Sequence, residues 1–149
     1  MVDRYLFWLR TTAVLQLITA AVHALSFFRN PAPDNETERQ LHDLMTTYQL
    51  NLGPYFHPTS AHLFTGLSAS FSFLYLLGGL TNWYLAQRNV PQETLKGITS
   101  INVLVFGGNF LVTLIFTFLP PIILTGLVFI SLCFAYATNH IHKIKLPKN

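Results

Sequence analysis

The stretch Ser60–Leu85, SAHLFTGLSASFSFLYLLGGLTNWYL, contains no Asp, Glu, Lys or Arg. A hydrocarbon core about 30 Å thick is crossed by roughly 20 mostly apolar residues in a helix. Lipid offers the backbone no hydrogen-bonding partner, so such a run must satisfy its amides within itself, as a helix does. Three further stretches meet the same condition, at about 5–28, 97–119 and 121–139. The expected fold is therefore all-α, an integral membrane four-helix bundle forming a single transmembrane domain over residues 1–149.

Composition points the same way. The chain is 51% hydrophobic, 14% aromatic and 10% charged, with a mean hydropathy of +0.41. A soluble domain carries about 25% charged residues. The balance excludes an ordinary water-soluble globule, a disordered tail and a nucleic-acid binder. The lone cysteine, Cys133, excludes a disulfide scaffold, a CxxC redox pair and a thiolate metal cage.

Charge sets the expected orientation, because cytoplasmic loops are enriched in Lys and Arg. With the N-terminus inside, Arg4, Arg10, Arg88, Lys96, Lys143, Lys145 and Lys148 are cytoplasmic, and Arg29 and Arg39 lie outside. Both termini are thus expected in the cytoplasm, most simply at a bacterial inner membrane. Tyr5 and Trp8, and Trp83 and Tyr84, fall at the inner edges where belt aromatics sit. Arg10 lies a turn inside the first span, where its stem can snorkel. Val22-His23-Ala24 loosely resembles a signal cleavage site, but Arg10, Gln16 and His23 interrupt the apolar run, so the first span is expected to be retained.

The connections are unequal. Leu119-Pro120-Pro121 is a tight corner between the third and fourth spans, and Ala86–Lys96 is a short loop containing Pro91. The first connection is far longer than a bare link needs. Within it Pro31-Ala32-Pro33 reads as extended, and Asp34 or Asn35 can cap a helix over about 36–50. Leu41, Leu44, Met45, Tyr48 and Leu52 recur there on one face, with Glu38, Arg39 and Asp43 away from it. This extra amphipathic helix is expected either to lie in the outer interface or to form a lid across the bundle mouth. Asn51-Leu52-Gly53-Pro54 ends it, and Thr59 or Ser60 can cap the next span.

A polar seam runs inside the spans. Thr12, Gln16, Thr19, His23 and Ser26 form one stripe on the first; His62, Thr65, Ser68 and Ser72 lie along the second. The third contributes Asn102, Asn109 and Thr113, and the fourth Thr125 and Tyr136. Two explanations compete. Small residues such as Gly66, Ser70, Gly78 and Gly79 let helices pack closely, and polar groups can act as glue between them. Yet Gln16, His23, Asn102 and Asn109 are large for adhesion alone, and Gln16 and Asn109 could pair with each other or face a small cavity.

His23, His42, His57 and His62 collect toward the outer side, whereas His140 and His142 belong to a cationic cytoplasmic end. Imidazole carries protons near neutral pH and ligates metals. Glu38 and His42 stand at a spacing that allows an acid–base pair. A metal held by His23, His57 and His62, or a haem between His23 and His62, stays open. No HExxH motif or nucleophile arrangement is present.

His62-Leu-Phe-Thr-Gly66 entering the second helix and Phe118-Leu-Pro-Pro-Ile122 at the third corner resemble the DoxX-like group of small bacterial membrane proteins. That resemblance covers the architecture of nearly the whole chain and implies a link to quinone or thiol redox systems; it assigns no catalytic residue. The expected function is binding of a small amphiphile, a lipid or quinone-like molecule, in an outward-facing pocket between helices. His23, His62, Gln16, Asn109, Tyr48, His42 and His57 are the candidate ligand-binding residues. Two alternatives stand beside it: an accessory subunit of a larger membrane complex, and a histidine-dependent membrane enzyme using metal or haem. Expected partners are membrane lipid and a membrane protein or a second copy, with no nucleic acid; the sequence names no cofactor.

Overall fold

A computed structural model describes residues 2–28 and 32–144, with side chains over 4–25, 27–28 and 32–138. The expectations resting on Arg29, Pro31, Lys145 and Lys148, and on the side chains of Ser26, His140, His142 and Lys143, lie outside the described residues. Five α-helices follow in order: α1 (Val2–Leu25), α2 (Glu36–Thr47), α3 (Ser60–Gln87), α4 (Gln92–Phe116) and α5 (Leu119–Ile144). A 3₁₀ turn, Ser26–Phe28, extends α1. Among the described residues there is no strand, only an isolated bridge between Gln49 and Thr59.

Four of these helices contain segments long and apolar enough to cross a membrane: Arg4–Leu25, Ser60–Gln87, Gln92–Phe116 and Leu119–Thr138. The chain is thus consistent with a multi-pass membrane protein. The helix ends shift from the expected ones where backbone conformation wins over hydropathy. α4 starts at Gln92 directly after Pro91, whose fixed φ suits a helix start, and it stops at Phe116. Pro120 and Pro121 then occupy the first turn of α5, where no intrahelical N–H is needed.

α2 is capped by Asn35, whose side chain accepts the Glu38 N–H at 2.9 Å. Glu38 reaches back in return, accepting the Asp34 N–H at 2.9 Å and Asn35 Nδ2 at 3.1 Å. This reciprocal box satisfies donors that a helix start leaves free. α2 ends three residues before the expected Leu50, because residues 48–59 form their own hairpin-like loop. Leu50 donates to the Pro58 carbonyl (2.9 Å) and Leu52 to Phe56 (3.2 Å), with Gly53 at φ +134° turning the chain. Only glycine enters that region without strain. Thr59 caps α3, its hydroxyl accepting the His62 N–H at 3.3 Å.

The chain divides into two compact units, one formed by residues up to Thr19 together with those from Tyr75 onward, the other by Ala20–Leu74. In the first, Tyr5, Leu9, Leu85, Ala86, Leu95 and Ala135 form a buried apolar cluster, joined by Leu6, Trp8, Val90 and Ile98. Trp8 stacks on Phe134 at 4.6 Å, and the Tyr5 hydroxyl lies 3.0 Å from Thr99 Oγ1. Arg10 directs its guanidinium along this unit, Nη2 donating to the Ala86 carbonyl at 3.5 Å. The second unit has a different character. Between Ala20 and Leu74 only Ala20 and Thr59 are buried among the described side chains, and α2 buries none.

Candidate functional site

The first unit holds a line of amides that begins near the middle of α1. Asn102 of α4 donates Nδ2 to Asn82 Oδ1 of α3 at 3.2 Å. Asn82 in turn donates Nδ2 to Gln16 Oε1 of α1 at 2.8 Å. Gln16 and Asn82 are both fully enclosed. The line ends on Gln16 Nε2, a buried donor with no hydrogen-bond partner. Exchanging O and N in all three amides would leave an orphaned oxygen at the same place, so the deficit belongs to the geometry. A buried polar group left unmatched costs about 1–3 kcal/mol.

What surrounds that amide explains the close approach. Gly78 of α3 is the crossing point: a Cβ there would stand 2.6 Å from Phe106 Cζ and 2.7 Å from Gln16 Nε2. Phe106 is enclosed and meets the Tyr75 ring edge-to-face at 5.0 Å. The Tyr75 hydroxyl donates to Asn109 Oδ1 at 2.8 Å. Gln16, Asn82, Asn102, Gly78, Phe106, Tyr75 and Asn109 thus form one contiguous patch drawn from three helices.

Of the two arrangements open to Gln16 and Asn109, a mutual pair or a small cavity, the pair is not formed. Each amide has a nearer mate: Asn82 for Gln16, and Tyr75 for Asn109. The polar band expected along the second span is also corrected. His62 and Thr65 are exposed, and Thr65 and Ser72 turn their hydroxyls to the Ala61 and Ser68 carbonyls of their own helix. The buried side of α3 lies lower, at Tyr75, Gly78, Gly79, Asn82, Leu85 and Ala86. Gly66 faces open space, and the close-packing glycines are Gly78 and Gly79. On α1 the seam holds for Thr12, Gln16 and Thr19, all buried. Thr12 Oγ1 lies 2.9 Å from Ser131 Oγ of α5, which adds a second polar tie.

The outer candidates follow another pattern. His23 is half-buried, with the Phe71 ring edge-on at 4.8 Å. His42, Tyr48, His57 and His62 are exposed. Glu38, expected opposite His42, is instead turned to the α2 N-terminus. Among the described residues no three His, Cys, Asp or Glu side chains gather as a set of metal ligands, so His23, His57 and His62 are not assembled into one.

Asn82, Tyr75 and Phe106 were missing from the sequence-derived site. Asn82 stands between Thr81 and the interfacial Trp83, and the segment reads there as a helix edge. The signal that could have found it is spacing: Gly78 and Asn82 are one turn apart, so a close-packing glycine and an amide share a face. Compared with protein families, curated proteins and solved structures, the chain finds no match.

Proposed function

We propose that this chain is a multi-pass membrane protein that binds a small amphiphile carrying a carbonyl group, a quinone-like molecule or a lipid ester, at the Gln16 amide. The observation that carries the reading is the enclosed Gln16 Nε2 donor without a partner. With the amides oriented so that Nε2 is the orphan, a carbonyl oxygen is the complementary group: it accepts one hydrogen bond and brings no charge into a low-dielectric interior. Phe106 and Tyr75 supply the aromatic wall such a ligand packs against, and Tyr75–Asn109 fixes that wall's polar end. Gln16 is enclosed, so this reading requires the Phe106 ring to turn away from Gly78 for a ligand to reach Nε2. The DoxX-like likeness of the sequence points to the quinone arm of this reading. The uneven spread of Arg and Lys between the two sides supports a topology with both termini in the cytoplasm.

Thermal unfolding of delipidated protein, with a short-chain quinone and a diacyl phospholipid added separately, tests the reading. Ligand at 100 times Kd stabilises the native state by about 2.7 kcal/mol. One of the two probes is expected to raise the midpoint in the native chain and to leave Gln16→Leu unmoved. The responding probe identifies the ligand's source. Equal shifts in both chains, or none in either, would overturn the proposal and favour an accessory subunit that meets its partners through its helix surfaces.

A further inference from the structure

The second unit carries a surface that the ligand reading does not use. From Leu44 to Gln87 the chain contains no Asp, Glu, Lys or Arg, so the loop before α3 has the charge character of the span it leads into. Residues 49–59 are nevertheless built rather than slack: the Gln49–Thr59 bridge and the bonds from Leu50 to Pro58 and Leu52 to Phe56 hold the two arms together. That scaffold displays large apolar side chains. Tyr55 is 93% exposed and Phe56 71%, with Tyr48 and Leu52 at 59% each. Leu41 and Leu44 on α2 are exposed as well, and so are Leu63, Phe64 and Leu67 on the first turns of α3. The exposed surface therefore passes from the hairpin into α3 without a charged side chain, interrupted by the neutral polar groups of His57, His62 and Thr65.

We propose that the 48–59 hairpin, with the Leu41 and Leu44 side of α2, anchors the chain in the headgroup–acyl boundary of the membrane that α3 enters. Tyrosine favours that depth, with its ring in the acyl region and its hydroxyl in the wet layer. A water-borne protein partner favours a rim of charged and polar groups, and the run from Leu44 to Gln87 brings no charge to one. The charges of this connection cluster at its start, Asp34, Glu36, Glu38 and Asp43 against Arg29 and Arg39, and their net negative sign means that binding calls for no anionic lipid. The inference rests on the membrane reading and not on a ligand at Gln16.

The test places an environment-sensitive nitrobenzoxadiazole probe on single cysteines in a Cys133→Ala chain reconstituted into pure phosphatidylcholine vesicles. The sites are Tyr55→Cys and Phe56→Cys in the hairpin, Gln40→Cys on the polar side of α2, and Leu104→Cys on the exposed side of α4. Leu104 is expected to be quenched by lipids spin-labelled deep in the acyl chain, and Gln40 by aqueous iodide. Tyr55 and Phe56 are expected to lose intensity to lipids labelled near the carbonyl and to resist iodide. Iodide quenching at both hairpin sites would overturn the proposal by making the loop a solvated one. Protection from both quenchers would also overturn it, by placing protein over the hairpin. If Leu104 escapes the lipid quencher, the membrane reading itself fails.

Discussion

The unit that contains Gln16 and the unit from Ala20 to Leu74 solve the same problem in opposite ways. The first unit turns its polar side chains inward and matches them pairwise: Asn102 to Asn82 to Gln16, Tyr75 to Asn109, Thr12 beside Ser131. In the second unit the hydroxyls of Thr65, Ser70 and Ser72 bond to their own helix, and among the described side chains only Ala20 and Thr59 are buried. One unit has a specific interior whose shape fixes partners. The other depends on its surroundings for the burial of Leu41, Tyr55 and Phe56. Sensitivity to mutation should therefore be concentrated in the first unit, and sensitivity to the membrane in the second.

Two glycines on α3 give the largest contrast. Gly78→Ala drives a methyl into Phe106 and Gln16, and overpacking of that kind costs about 1–3 kcal/mol. Gly66→Ala meets nothing within 4 Å and is expected to gain about 0.5–1 kcal/mol from the stiffer helix. Unfolding in mild detergent measures both. A similar loss at Gly66 would erase the distinction between the units.

Removal of the amide line comes next. Asn82→Leu strips Gln16 Oε1 and Asn102 Nδ2 of their mates and should cost about 1–3 kcal/mol. Adding Gln16→Leu removes the stranded partner, so the double variant should recover part of that loss. A coupling of about 0.6–1.7 kcal/mol is expected from a double-mutant cycle, the range for interhelical hydrogen bonds in membranes. Additive losses would mean that the amides do not act as a line.

These two experiments touch what could and could not be read from the sequence. The four long apolar helices were legible because hydropathy over some twenty residues is a sum that local errors do not upset. The α2 helix was legible from Asn35 and the spacing of Leu41, Leu44 and Tyr48, although its end was placed too late. Gln16 and Asn109 were recognisable as costly groups in lipid. Their mates were not, because partner choice depends on the rotation and register of each helix, which composition does not encode. Asn82 was hidden beside Trp83 for that reason, and of the glycines named for close packing Gly78 and Gly79 meet a neighbour whereas Gly66 does not.

Smaller effects come from the second unit. Tyr55→Ser should change stability in detergent by less than about 0.5 kcal/mol, the usual range for surface positions. Its effect should appear as weaker protection of the hairpin in bilayers, read by hydrogen exchange. The smallest effect is at the α2 N-terminus. Arg39 donates to Glu36 at 2.8 and 3.0 Å, and this pairing, helped by Gln40, holds the Glu36 carboxyl below the usual carboxylate range. A group lowered on folding contributes above its unfolded pKa and loses that contribution as pH falls through its folded pKa. Glu36 and Arg39 are fully exposed, so an NMR titration should follow the local fraying of α2 in acid with no change in the first unit. Loss of the first unit over the same pH range would show that the two are not independent in this respect.

The most direct measurement is native mass spectrometry of gently solubilised native chain and Gln16→Leu, with an absorption spectrum of each sample. A bound small molecule on the native chain, missing from a Gln16→Leu chain that remains folded, is the expected result; its mass and spectrum would separate a quinone from a lipid. A native chain that flies empty, or a Gln16→Leu chain that retains the same mass, would contradict the claim that the orphaned amide is a ligand's anchor.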